Sequence, residues 1–172
     1  MTQPFYRTKP LPRGELRGTH RVSSALVASS ASVLRQYAEL RHEGLVFWLG
    51  LRVGETTYYL SVAAPATDHG PQRVLFDAQA FGDAAQRARE HGLCLLAQVH
   101  THPGDEARHS DGDDDLIPLP FEGMLSLVAP RYGTDLVNLD GLVVHQFQDG
   151  RWVHIPCPGL EALPELEDCR GD

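Results

Sequence analysis

Apolar residues recur along this chain at two spacings, and the spacing changes mark out its elements. From Ser24 to His42 the period is helical, with Leu26, Val33, Tyr37 and Leu40 returning to one side and Arg35, Glu39 and Arg41 on the other. Gly44 is the expected stop. Two apolar stretches follow, Leu45–Val53 and Thr56–Ala63, joined at Gly54-Glu55 as a tight hairpin would be. Pro65–Pro71, with Asp68, His69 and Gly70 inside it, reads as a loop, and Arg73–Phe76 as a further strand. Asp77 is placed to cap a second helix, where Phe81, Ala84, Ala85 and Ala88 line one face before Gly92 ends it. Leu93–Val99 is nearly all apolar, as a central strand covered on both faces should be. A short helix or turn (Asp114–Phe121), a strand (Met124–Ala129) and a loop (Pro130–Asp140) come next. A hairpin of Gly141–Gln148 and Trp152–Ile155 then turns at Asp149-Gly150.

Strands interleaved with two helices predict an α/β layered domain over residues 22–156, without repeats. Residues 1–21, rich in proline and charge, read as an extended arm, and the acidic residues 157–172 as a frayed tail. Composition narrows the function classes. The chain has 172 residues, 42% of them hydrophobic, so it can bury a core. Its net charge of -8 argues against general binding to nucleic acid or to anionic membranes. No apolar run approaches the ~20 residues of a membrane span, and no apolar segment follows the basic N-terminal residues, so neither an anchor nor a signal peptide is expected. Cys94, Cys157 and Cys169 lack CxxC spacing, which fits a reducing cytoplasm and excludes a cysteine zinc site. Cys94 reads as a core residue, Cys157 and Cys169 as buried or tail thiols. What stands out is nine histidines.

Two of them close the central strand. His100 and His102 are two apart on an extended segment, so both side chains point to one side. Two imidazoles so placed can share one ion at about 2.0–2.1 Å. Asp113, beyond the Pro103–His109 loop, is placed to add a third ligand, leaving the open fourth position of a catalytic zinc. Taken alone, an H-x-H is commonly two surface histidines, and Asp111, Asp113, Asp114 and Asp115 a solvated acidic loop. The buried strand before the pair, the Pro-Gly turn after it and a separate acid favour the metal reading. That acid is Glu43, where the first helix hands over to the first long strand, and a carboxylate there suits a general base. His109, Asp105 and Glu106 read as loop surface, and His42 as a helix-end surface residue.

Glu43, then His100-Thr101-His102-Pro103, then Ser110-Asp111-Gly112-Asp113 resemble the E…H-[ST]-H-P…S-x-x-D signature of the JAMM metalloproteases, the JAB/MPN domain. The resemblance spans about residues 22–156. One position departs from it: a glycine often found three residues after the glutamate is Val46 here, while Gly50 is retained. The resemblance implies a mixed, mainly antiparallel sheet flanked by helices, in a cytidine-deaminase-like layered architecture. It implies Zn2+ held by His100, His102 and Asp113, Glu43 as the base, and Ser110 as an oxyanion donor.

The activity so implied is zinc-dependent hydrolysis of a peptide or isopeptide bond after the C-terminus of a ubiquitin-like protein. Size and layout resemble the stand-alone peptidases encoded beside bacterial ubiquitin-like conjugation genes, including antiviral ones. Activating and conjugating enzymes would then be partners. A peptidase that processes a sulfur-carrier protein would use the same residues, and a non-catalytic MPN scaffold is the reading from another class. The loops at Thr67–Pro71 and Pro130–Asp140 are the expected holders of an extended modifier tail, by strand addition.

Overall fold

The computed structural model describes residues 9–163. Its elements run β1 (Thr19–Val22), α1 (Ser24–Glu39), β2 (Leu45–Val53), β3 (Thr56–Ala63), β4 (Asp68–Gly70), β5 (Arg73–Leu75), α2 (Ala78–Glu90), β6 (Cys94–Thr101), β7 (Leu125–Ala129), β8 (Val143–Gln148), β9 (Arg151–Ile155) and β10 (Glu161–Ala162). Eight strands form one sheet in the order β10-β1-β3-β2-β6-β7-β8-β9, and β4 pairs with β5 apart from it. The long hairpin β2–β3 and the pairs β2–β6, β7–β8 and β8–β9 are antiparallel. β6 and β7 are parallel, as are β1 with β3 and β1 with β10. The fold is the mixed α/β layered arrangement, mainly antiparallel, that the sequence predicts.

Alternation along β2 sorts the core into two layers. Val46 and Trp48 face α1, where Leu26, Val27, Ala31 and Leu34 cover them. Leu45, Phe47 and Leu49 face the other way, against Ala84 and Ala88 of α2 and against Leu116, Ile117 and Trp152. Asp77 caps α2 as expected, its Oδ1 accepting from the Ala80 N–H at 2.8 Å. At Gly50, beside a β-bulge, an added Cβ would lie 1.7 Å from the Tyr58 carbonyl oxygen, so only glycine fits there.

Several expectations are corrected. Thr19, His20 and Arg21, assigned to the arm, form with Val22 a strand bonded to β3, and Glu161–Ala162 of the expected tail bonds to β1. Both are short pairings set by neighbours distant in sequence. Asp68–Gly70 is not loop but β4. The buried stripe of α1 is Leu26, Val27, Ser30, Ala31 and Leu34, while Leu40 lies past the helix end and is exposed. Small residues let α1 approach the sheet closely. Ser30 Oγ donates to the Leu26 carbonyl and accepts from the buried Trp48 indole at 2.9 Å. α1 stops at Glu39, ahead of Gly44, with Arg41 in the left-handed region. Cys94 opens β6 and is exposed, not core, and Cys157 is exposed too. Cys169 and the acidic residues beyond 163 lie outside the described residues. Among the described residues no helix is long and apolar enough to cross a membrane.

Candidate metal centre

The sheet brings three chain segments to the C-terminal end of β6. His100 lies next to the last residue of that strand, Thr101, and His102 follows directly. β2 runs antiparallel to it with Leu45 opposite His100, so Glu43, just upstream, arrives at the same end. Thr101 clamps this junction: its N–H donates to the Gly44 carbonyl at 3.0 Å, and its hydroxyl accepts from the Gly44 N–H at 2.9 Å. Because β6 and β7 are parallel, the chain must cross over between them, and the crossover carries Ser110 and Asp113 back over the histidines. This segment is anchored by buried Ala107, Leu116 and Ile117.

His100 Nε2 and His102 Nε2 lie 3.2 Å apart. Asp113 Oδ1 is 3.3 Å from the first and Oδ2 3.1 Å from the second. His100 Nδ1 faces Gln98 Oε1 at 3.1 Å, and His102 Nδ1 faces the Glu106 carbonyl at 3.0 Å. Both Nδ1 atoms therefore act as donors, which leaves both Nε2 lone pairs directed at the same point. Two imidazole lone pairs and a carboxylate oxygen, all within 4.8 Å of one another, form a donor set suited to a cation. Ser110 orients the acid: its N–H and its hydroxyl both donate to Asp113 Oδ2, at 2.6 and 2.9 Å.

The same groups shift one another's protonation. Burial lowers His100, with Asp113 opposing. For His102 burial acts the same way, but hydrogen bonding and charge from Asp113 outweigh it and the net shift is upward. Burial would raise Asp113, yet the two imidazoles hold it well below the usual carboxylate range. Glu43 is pushed up from 4.5 to about 8, chiefly by burial, with the Asp113 charge adding and His102 opposing. Its Oε1 is buried and bonded to no group of the described residues. A carboxylate oxygen so placed beside three metal-type donors fits a site that a cation completes.

Residues 30–137, more than half of the chain, match the family described as prokaryotic homologs of the JAB domain. The chain belongs to this family. It is 27% identical over 142 residues to a protein of Sinorhizobium fredii (strain NBRC 101917 / NGR234) described as probable metalloprotease y4jG, covering 80% of this chain and 87% of that one. Two solved structures share the fold. The solution structure of DSY2949 from Desulfitobacterium hafniense superposes with a TM-score of 0.65 at 19% identity, over 90% of this chain and 99% of that one. AF2198 from Archaeoglobus fulgidus, described as a JAB1/MPN domain protein, gives 0.50 at 14% identity, over 84% and 99%.

In this JAB domain the structure thus gathers His100, His102, Asp113, Ser110 and Glu43 at one end of β6. Asp105 and Glu106 are exposed, as read from the sequence. His109 is not loop surface. It is buried, with Nε2 2.6 Å from Ser126 Oγ and Nδ1 3.1 Å from Asp114 Oδ1. The sequence holds a signal for this: Gln98 and Ser126 are polar residues within apolar stretches of β6 and β7, and they are paired in register. His42 is half-buried, its Nδ1 3.0 Å from His69 Nδ1. The two loops expected to hold a tail touch each other, Tyr132 donating to the Pro71 carbonyl at 2.9 Å.

Proposed function

We propose that this chain is a zinc-dependent peptidase or isopeptidase that cleaves after the C-terminus of a ubiquitin-like protein, freeing the modifier from a target or trimming its precursor. The carrying observation is the pair of Nε2 lone pairs converging with Asp113 beside the buried carboxyl of Glu43. Two nitrogens and one oxygen leave a tetrahedral zinc one open position, the pattern of a catalytic ion. Zinc held there supplies a Lewis acid that polarises the scissile carbonyl and lowers the pKa of water.

Glu43 takes the proton from the attacking water and later gives it to the departing amine, so that bond cleavage releases a neutral leaving group. A neighbouring dication favours the ionised carboxylate against the burial that otherwise raises it. Ser110 has two roles in this reading. Its hydroxyl holds Asp113, and by resemblance it serves the oxyanion as charge develops on the carbonyl. The substrate class rests on family resemblance, and the position of β4 supports it: the Gly70 carbonyl accepts from the Glu43 N–H at 2.8 Å, so a short strand runs beside the base where an extended tail would add. Activating and conjugating enzymes would supply the conjugates.

The test is cleavage of a ubiquitin-like protein fused through its C-terminus to a reporter domain, with unfolded casein as the contrast. The expected result is one cut after the last residue of the modifier and an intact casein. Degradation of casein together with the fusion would overturn the substrate class.

A further inference from the structure

Behind the metal ligands lies a line of buried polar side chains that the proposed chemistry does not use. Gln98 precedes His100 by two residues on β6 and shares its face. Gln98 Nε2 is 2.5 Å from Ser126 Oγ on the neighbouring strand, Ser126 Oγ is 2.6 Å from His109 Nε2, and His109 Nδ1 is 3.1 Å from Asp114 Oδ1. Gln98 and Ser126 on neighbouring strands and His109 in the crossover are all buried. Burying such groups is costly unless each is bonded, and here each one is.

The line has a direction. Asp114 ends it with a carboxylate, which only accepts, so His109 carries its proton on Nδ1 and offers a lone pair at Nε2. Ser126 must then give its single proton to His109 and accept from the Gln98 amide N–H. That turns the Gln98 oxygen toward His100, whose Nδ1 must be a donor and whose Nε2 is left bare. With Gln98 reversed, His100 would carry its proton on Nε2 and could not bind a cation there. Neighbours hold the geometry. His145 stacks on His109 at 3.9 Å between ring centres, its Nε2 accepting from the His109 N–H and its Nδ1 donating to the Ser126 carbonyl. Trp152 Nε1 donates to the Asp114 carbonyl at 3.2 Å.

We propose that Asp114, His109, Ser126 and Gln98 are positioning residues that together set the tautomer of His100 and so make it a metal ligand. The inference rests on the reading of His100 as a zinc ligand. His102 differs, being held by a backbone carbonyl that no side-chain change removes. Groups that orient a metal-bound histidine typically contribute about 10–100-fold to metal affinity.

The test uses the full chain and zinc alone. Zinc dissociation constants are measured by chelator competition for wild type, Asp114→Asn, His109→Phe and the double variant His109→Phe with Gln98→Glu. Imidazole 15N chemical shifts of the metal-free proteins report the His100 tautomer. Wild type should show His100 protonated on Nδ1. Asp114→Asn and His109→Phe should each mix the tautomers and weaken zinc by about 10–100-fold. Gln98→Glu, which can only accept at His100, should restore both readouts in the His109→Phe background, something a merely structural loss would not allow. Asp114→Asn and His109→Phe that both keep wild-type tautomer and affinity would overturn the inference while leaving the metal reading intact. A wild type that binds no zinc would overturn the metal reading, and the inference with it.

Discussion

Glu43 is the residue on which the chemistry turns, because burial gives it two separable consequences. On the proposed reading Glu43 is the base and carries a proton-transfer step of about 10²–10⁴ in rate, so Glu43→Gln should lose that much of kcat on a modifier fusion and keep its zinc. Loss of zinc in that variant would make Glu43 a ligand instead. The second consequence concerns stability without metal. The Glu43 carboxyl is raised from 4.5 to about 8, so between those values the folded chain holds a proton that the unfolded chain has released. Its contribution to stability therefore falls as pH rises through that window. Metal-free Glu43→Gln, which has no such proton, should match wild type at about pH 4 and melt above it at about pH 9. Thermal scans of both proteins across that range check the sign, and curves that stay parallel would contradict it.

At the junction of β2 and β6, Thr101 joins the histidine motif to the segment that carries Glu43. Its hydroxyl satisfies the buried Gly44 N–H. Thr101→Val keeps the shape and removes the acceptor, leaving a buried donor unpaired at about 1–3 kcal/mol. Thr101→Ser should behave as wild type in chemical denaturation, and Thr101→Val should lose stability by that amount and activity with it. The same junction shows what could be read from the chain. β2, β3 and β6 were legible because they are long and mostly apolar, α2 because Asp77 caps it, and the grouping of His100, His102 and Asp113 because their spacing is one that a strand end and a crossover can close. Burial of His109 is signalled only indirectly, by the polar Gln98 and Ser126 on neighbouring strands, since its bond to Ser126 is made across the fold. The packed face of α1 was misread because its centre is Ser30 and Ala31, whose small size brings the helix onto Trp48. β1, β4 and β10 have no periodicity of their own to read, being two to four residues long and paired by the tertiary fold.

For the whole molecule the ligands sit at one end of a sheet whose two apolar layers close without them. Chelation should therefore abolish cleavage and leave the far-ultraviolet circular dichroism unchanged. The unfolding free energy should fall only by the linkage of bound metal, about 4 kcal/mol at a thousandfold excess over Kd, with the melting temperature lowered accordingly. A chain that unfolds on chelation would make the metal structural.

Whether His100, His102 and Asp113 hold a catalytic ion is decided by zinc content per chain after dialysis, measured by elemental mass spectrometry for wild type and His102→Ala. About one zinc is expected in wild type, the single ion that three ligands and an open position would hold, and essentially none in the folded variant. Zinc absent from wild type, or retained in full by His102→Ala, would contradict that reading.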